Sequence, residues 1–211
     1  GSTCRGVILP RGWTSQNGRV LALFALSDPE GAFGAGTACL DGDARNSAAV
    51  ALRRALEQAG RPGELPAMIW LSTAPGQEEK VLEGVESVVG RNVPVMGGST
   101  ADNYLQGRWS QFSKDELCSN GVVVSVLFST VELGYSYHNG YLPTTRTGKV
   151  TSGSGRILYS IDGRPAAEVY NQWTGGLLKD CMPQGGNILD KTSLFPLGRL
   201  HVWLENVPLY I

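Results

Sequence analysis

The stretch Pro94-Val95-Met96-Gly97-Gly98-Ser99-Thr100-Ala101-Asp102-Asn103 has the residue types and spacing of a binding loop. An apolar run stops at a set of small residues, and a carboxylate and a carboxamide stand just beyond it. Paired glycines let the backbone take positive φ and approach another group closely, and side chains of this size leave a ligand unobstructed. The same pattern also describes a tight turn with a capping Asp, and the spacing alone leaves both readings open. A loop with so little bulk, placed at the end of a strand, is expected beside the main concave pocket.

Residues that usually carry catalysis are sparse. There are two histidines. His138, beside Asn139-Gly140, ends an expected strand and either faces the pocket of the glycine loop or caps a turn in solvent. His201 falls in an alternating run near the end of the chain and reads as structural or exposed. Ser152-Gly153-Ser154-Gly155 lacks the strand-to-helix setting of a nucleophile elbow and reads as a hairpin turn. Asp41-Gly42-Asp43 offers too few oxygen ligands for a calcium loop. No G-x-G-x-x-G or Walker sequence follows a strand. A small hydrolase using Cys4 or Ser99 is an alternative without an identifiable base, so the chain reads as a non-enzyme. Four cysteines, Cys4, Cys39, Cys118 and Cys181, are scattered without a C-x-x-C pair. That spacing fits neither a zinc knuckle nor a disulfide framework and implies buried or incidental thiols.

The elements that position these residues read as βα units followed by a strand-rich meander. Val20 to Ser27 is a continuous apolar run closed by Ser27-Asp28-Pro29, the pattern of a strand stopped by turn chemistry. A Gly-rich arm follows as a candidate edge strand. From Asp43 to Ala59, apolar residues at Val50, Leu52, Ala55, Leu56 and Ala59 predict a helix with one buried face, an N-cap at Asp43 and a C-cap at Gly60. Strands over Ala67 to Thr73 and Val93 to Met96 flank a helix over Gln77 to Val89. Such units place strand carboxyl ends and their loops on one sheet edge. Expected strands then run over Trp109 to Phe112, Gly121 to Phe128, Leu133 to His138, Gly148 to Ser152 and Arg156 to Ile161, and a helix starts at Pro165. The five tryptophans read as core residues. The fold class is α+β.

Charge is nearly balanced, with 18 Lys+Arg against 19 Asp+Glu. A balanced chain has no electrostatic footprint for nucleic acid or an anionic membrane surface. No apolar run reaches the roughly 20 residues that span a bilayer, and no signal segment opens the chain, so membrane insertion is not expected and the cytoplasm is the default.

Four stretches, in order, resemble the FIST sensory domain of bacterial signal-transduction proteins. Gly1-Ser2-Thr3-Cys4-Arg5-Gly6 is similar to the family's G-x-S/T-x-x-G element, and Pro94 to Asp102 to its P-x-x-G-G-x-x-x-D loop. Gly140-Tyr141-Leu142-Pro143 with Lys149-Val150-Thr151 resembles its G-x-x-P and V-T pair. Ile161-Asp162-Gly163-Arg164-Pro165-Ala166 with Tyr170 resembles its L-D-G-x-P-A-x-x-x-Y signature. Thr144-Thr145-Arg146 departs from the family's Val-Gly after the proline. The resemblance implies a FIST N-like domain over residues 1–177 without its first strands, a linker over 178–191 and the opening of a FIST C-like module over 192–211. It implies a sensor for a small polar metabolite such as an amino acid, coupled to a signalling partner such as a histidine kinase or cyclic-dinucleotide enzyme. The ligand-binding residues it points to are Thr3, Cys4, Gly97, Gly98, Ser99, Asp102, Asn103, His138 and Tyr141. Asp102 would accept from an ammonium, while amides around Gly98 and the hydroxyls of Thr3 and Ser99 would meet a carboxylate. No cofactor is required by this reading. The alternative is a haem-based nitric oxide sensor with His138 as first candidate iron ligand.

Overall fold

The computed structural model describes residues 1–4, 7–9, 12–14, 20–102, 106–114, 116–137, 139–200 and 208–210, with backbone alone for 7–9, 13, 14, 200 and 208–210. Helices and several small sheets make it a mixed α+β structure. The chain divides into two compact units, Gly1–Ser136 and Tyr137–Ile211.

In the first unit, β1 (Val7–Leu9) and β2 (Gly12–Thr14) form a hairpin. Then come β3 (Ala32–Cys39), α1 (Ala44–Gln58), β4 (Met68–Thr73), α2 (Glu78–Val89), β5 (Val95–Ser99), β6 (Gln111–Phe112), β7 (Leu117–Cys118) and β8 (Gly121–Phe128). The main sheet has the order β3-β8-β4-β5. Strand β8 is antiparallel to both neighbours, whereas β4 and β5 are parallel. The run Val122-Val123-Val124 in β8 suits this central place, since β-branched side chains pack well on a pleated surface, and all three are buried.

Helix α1 forms as its sequence predicts. The Asp43 carboxylate accepts from the Arg45 and Asn46 amides at 3.1 and 3.2 Å, and Gly60 follows the last turn at φ 69°. The buried face is alanine-rich, with Ala44, Ala48, Ala51 and Ala55 beside Leu52 and Leu56. Those small residues let α1 press onto β3 at Gly34 and Gly36. A Cβ at either glycine would stand 2.0 Å from a helix carbonyl, that of Ala55 or Ala51. Leu52, Ile69, Val81, Val85, Val122 and Val124 fill the layer between sheet and helices. Each such buried side chain contributes about 1.5–3 kcal/mol relative to leaving it exposed.

The outer edge of β3 is closed by its own helix. Gln58 Oε1 accepts from the Ala35 amide at 2.6 Å. Arg54 Nη1 donates to the Thr37 carbonyl at 2.7 Å and to Glu116 at 2.9 Å. Covering an edge strand with polar side chains removes a template for pairing with another chain.

Several expectations change. Residues 20–27 form no strand, and Leu21, Leu23 and Phe24 are 84%, 88% and 88% exposed. Apolar content alone does not make a strand, because each strand needs a partner edge for its backbone groups. Residues 133–137 likewise carry no strand, and Tyr135 and Tyr137 are exposed. Trp70, expected in a core, is 56% exposed. Its neighbours Ile69 and Leu71 face the helices, so alternation sends the indole to the other face. Trp13 and Trp203 have no described side chains. Finally, Cys39 and Cys118 are joined in a disulfide with a Cα–Cα distance of 5.4 Å across 79 residues of sequence. Cys4 and Cys181 remain free thiols. The pairing brings together two distant strand ends, and spacing along the chain carries no sign of it.

In the second unit, β9 (Val150–Ser154), β10 (Ile157–Ile161) and β11 (Arg164–Pro165) form an antiparallel sheet. They are followed by α3 (Ala166–Trp173), α4 (Leu189–Thr192) and the paired β12 (Gly198–Leu200) and β13 (Pro208–Tyr210). Asp162 and Gly163 connect β10 to β11 with φ 49° and 75°. Positive φ at both central residues is the pattern of a type I′ hairpin, for which Asp-Gly is a preferred pair. The Asp162 carboxylate accepts from the Lys149 amide at 2.9 Å and so ties the turn to the start of β9 rather than capping α3. Ile161, Ala166 and Val169 make a small core here.

Candidate functional site

The carboxyl ends of the parallel strands β4 and β5 lie side by side, with Ser72 opposite Gly98 and Thr73 opposite Ser99. Strand β5 runs further than the sequence predicts, so Gly97, Gly98 and Ser99 are strand residues and the turn begins at Thr100. The two glycines serve different ends. A Cβ at Gly97, which sits at φ 138°, would lie 1.8 Å from the Leu71 carbonyl oxygen. Gly98 instead faces open space, with nothing within 4 Å of an added Cβ. Beyond the strand, the Thr100 amide donates to the Thr73 carbonyl at 2.8 Å and the Ala101 amide to the Thr3 carbonyl at 3.2 Å.

The polar side chains around this edge are held by neighbours. Thr3 Oγ1 accepts from the Ser110 amide at 3.0 Å, which leaves its own proton to donate. Ser99 Oγ donates to Glu78 Oε1 at 2.6 Å, and Glu78 Oε2 accepts from the Gly76 amide at 2.9 Å. Asp102 accepts from the Gln106 amide through both oxygens, at 3.1 and 2.9 Å, and from the Arg108 amide at 2.8 Å. It therefore caps the turn that follows it.

Beneath the loop lies a buried polar support. Gln111 is fully buried; its Nε2 donates to Thr100 Oγ1 at 2.7 Å and its Oε1 accepts from the Gly121 amide at 2.7 Å. Residues 1–3 run antiparallel to β6, with a Ser2–Gln111 bridge and the Thr3 amide on the Ser110 carbonyl at 3.0 Å. Gln111 and Glu78 were not visible as site residues in the sequence. A buried glutamine in a two-residue strand looks like any exposed polar residue until its partners are known.

The structure thus brings Thr3, Gly97, Gly98, Ser99 and Asp102 to one sheet edge and adds Glu78 to them. Cys4 is exposed next to Thr3. Asn103 and His138 lie outside the described residues, as does His201. Tyr141 belongs to the second unit, where its hydroxyl donates to the Ser193 carbonyl at 2.8 Å. A cavity of about 430 Å³ is found at the opposite edge of the sheet, lined by Thr37, Arg54, Glu57, Gln58, Ser113 and Glu116 among others. Among the described residues, this cavity lies away from the glycine loop. Nothing among the described residues fills the space that Gly98 faces. No helix among the described residues is long and apolar enough to cross a membrane.

A model of the FIST N domain matches residues 1–164 of the chain. An uncharacterized protein of Methanocaldococcus jannaschii is 30% identical over 95 residues, which is 44% of this chain and 18% of that protein. The match thus spans under a fifth of the relative's own length.

Proposed function

The chain belongs to the FIST N-domain family, a signal-transduction sensory domain, and from that premise we propose that it binds a small polar metabolite of the amino-acid class at the β4–β5 edge. The observation that carries this reading is the gathering of Thr3, Ser99 and Asp102 along the edge where β4 and β5 end, beside a Gly98 that faces open space. Ligands of open α/β sheets bind outside the carboxyl ends of parallel strands, where loops replace regular structure. At this edge the Asp102 carboxylate would take an ammonium, with Glu78 reinforcing the negative field. The Thr3 hydroxyl proton and the outward amides of the edge strand β5 would take a carboxylate. Binding there changes the tension on the Asp102-capped turn, and that turn is the element we assign to carry the signal toward a partner such as a histidine kinase or cyclic-dinucleotide enzyme.

Titration calorimetry of the purified chain with the common amino acids and their decarboxylated amines tests this directly. At least one ligand should bind, and Gly98→Val should weaken it about tenfold or more, a loss of about 1.4 kcal/mol. The open surroundings of Gly98 mean that the same substitution should leave folding intact. Absence of binding by every member of the panel, or equal binding by Gly98→Val, would refute the site.

A further inference from the structure

At the other edge of the sheet, Cys39 ends β3, Cys118 ends β7, and Glu116 stands just before β7. The two sulfur atoms and a Glu116 carboxylate oxygen all lie within 4.8 Å of one another. We propose that these three residues form a redox-gated site for a soft divalent metal ion such as Zn²⁺, closed while the disulfide stands and opened by its reduction. Thiolate sulfur and carboxylate oxygen are both ligands that zinc takes, and zinc binds four ligands in a tetrahedron, keeping one position for water when the protein supplies three. At a zinc–sulfur distance of about 2.3 Å, a tetrahedron places its two sulfurs about 3.8 Å apart. Side-chain rotation after cleavage of the disulfide can supply that separation.

Glu116 is available to a metal. Its partner in the structure is Arg54, at 2.9 Å, and both side chains are about half exposed. An exposed ion pair of this kind contributes little stability, so a cation that offers a stronger bond displaces it. Glu116 lines the cavity at this edge, and Cys39 and Glu116 are half-buried while Cys118 is buried, so a reductant meets the disulfide from the Cys39 side and the metal's fourth ligand comes from the Glu116 side. The chemistry balances with a dithiol as reductant. Two electrons and two protons pass from the dithiol to the Cys39–Cys118 bond, the dithiol becomes a disulfide, and two protein thiols form. Zinc binding then releases those two thiol protons to solvent.

The test uses the full chain carrying Cys4→Ser and Cys181→Ser, so that Cys39 and Cys118 are the remaining cysteines. One sample is kept oxidised, and another is reduced with dithiothreitol and desalted without oxygen. Zinc is then titrated against a chromophoric chelator, and Co²⁺ is added to a parallel sample. The reduced chain should take up one equivalent of zinc and show thiolate-to-cobalt charge-transfer absorption, while the oxidised chain should show neither. Glu116→Gln, a surface change, should weaken zinc at least tenfold with circular dichroism unchanged. Equal zinc uptake by the oxidised and reduced chains, or unaltered affinity in Glu116→Gln, would overturn the proposal.

Discussion

Gly97 and Gly98 are neighbours in sequence that answer to different constraints. At Gly97 the positive φ and the Leu71 carbonyl forbid a side chain, and Gly97→Ala should cost about 2 kcal/mol or more in urea unfolding. At Gly98 no such obstacle exists, and substitution should act on binding instead. The sequence shows that two glycines end an apolar run, yet which of them is structural depends on a strand two elements away. Asp102 has the same double character, since its capping bonds to Gln106 and Arg108 make it part of the turn it would also serve. Gln111 carries the least legible role. Removing its amide by Gln111→Ala should leave Thr100 Oγ1 and the Gly121 amide unpaired and buried, at a cost of about 2–4 kcal/mol read from the same unfolding curves.

Among elements, those with strong local signals are the ones the sequence places well. Helix α1 is legible in Asp43, its apolar period and Gly60, and β8 in its valine run. The hairpin from β10 to β11 is legible in Asp162-Gly163. Elements that depend on a distant edge are not legible, and the apolar run at 20–27 is the clearest case. What holds the end of that run is Asp28, whose carboxylate accepts from the Thr130 amide at 2.8 Å and the Thr130 hydroxyl at 2.9 Å, and from the Gly31 amide at 3.1 Å. These bonds, those from Thr130 foremost, hold the Asp28 carboxyl below its usual value. A lowered folded-state value means that the stability it confers is present above the unfolded value of about 3.9 and is lost as pH falls through the folded one. Melting curves from about pH 2 to pH 7 should therefore show Asp28→Asn less stable than wild type at neutral pH, with the two curves converging on the acid side. Parallel curves would contradict this role.

At the scale of the whole molecule, the α+β class and the family are legible because they rest on the order of motifs along the chain, and the FIST N-domain match covers residues 1–164. The disulfide is not legible, because only the folded sheet brings β3 and β7 together. Closing a loop of 79 residues should be worth about 4.5 kcal/mol in the chain-entropy model. Thermal unfolding with and without dithiothreitol should show the reduced chain markedly less stable. The functional account rests on one location, the β4–β5 edge at Gly98, as distinct from the cavity at the β3 edge. Amide hydrogen exchange with and without a saturating amino-acid ligand separates the two places. Slowed exchange across Gly98 to Asp102, with residues 35–37 unchanged, is the predicted result, whereas protection confined to residues 35–37 and the 113–116 turn would contradict it.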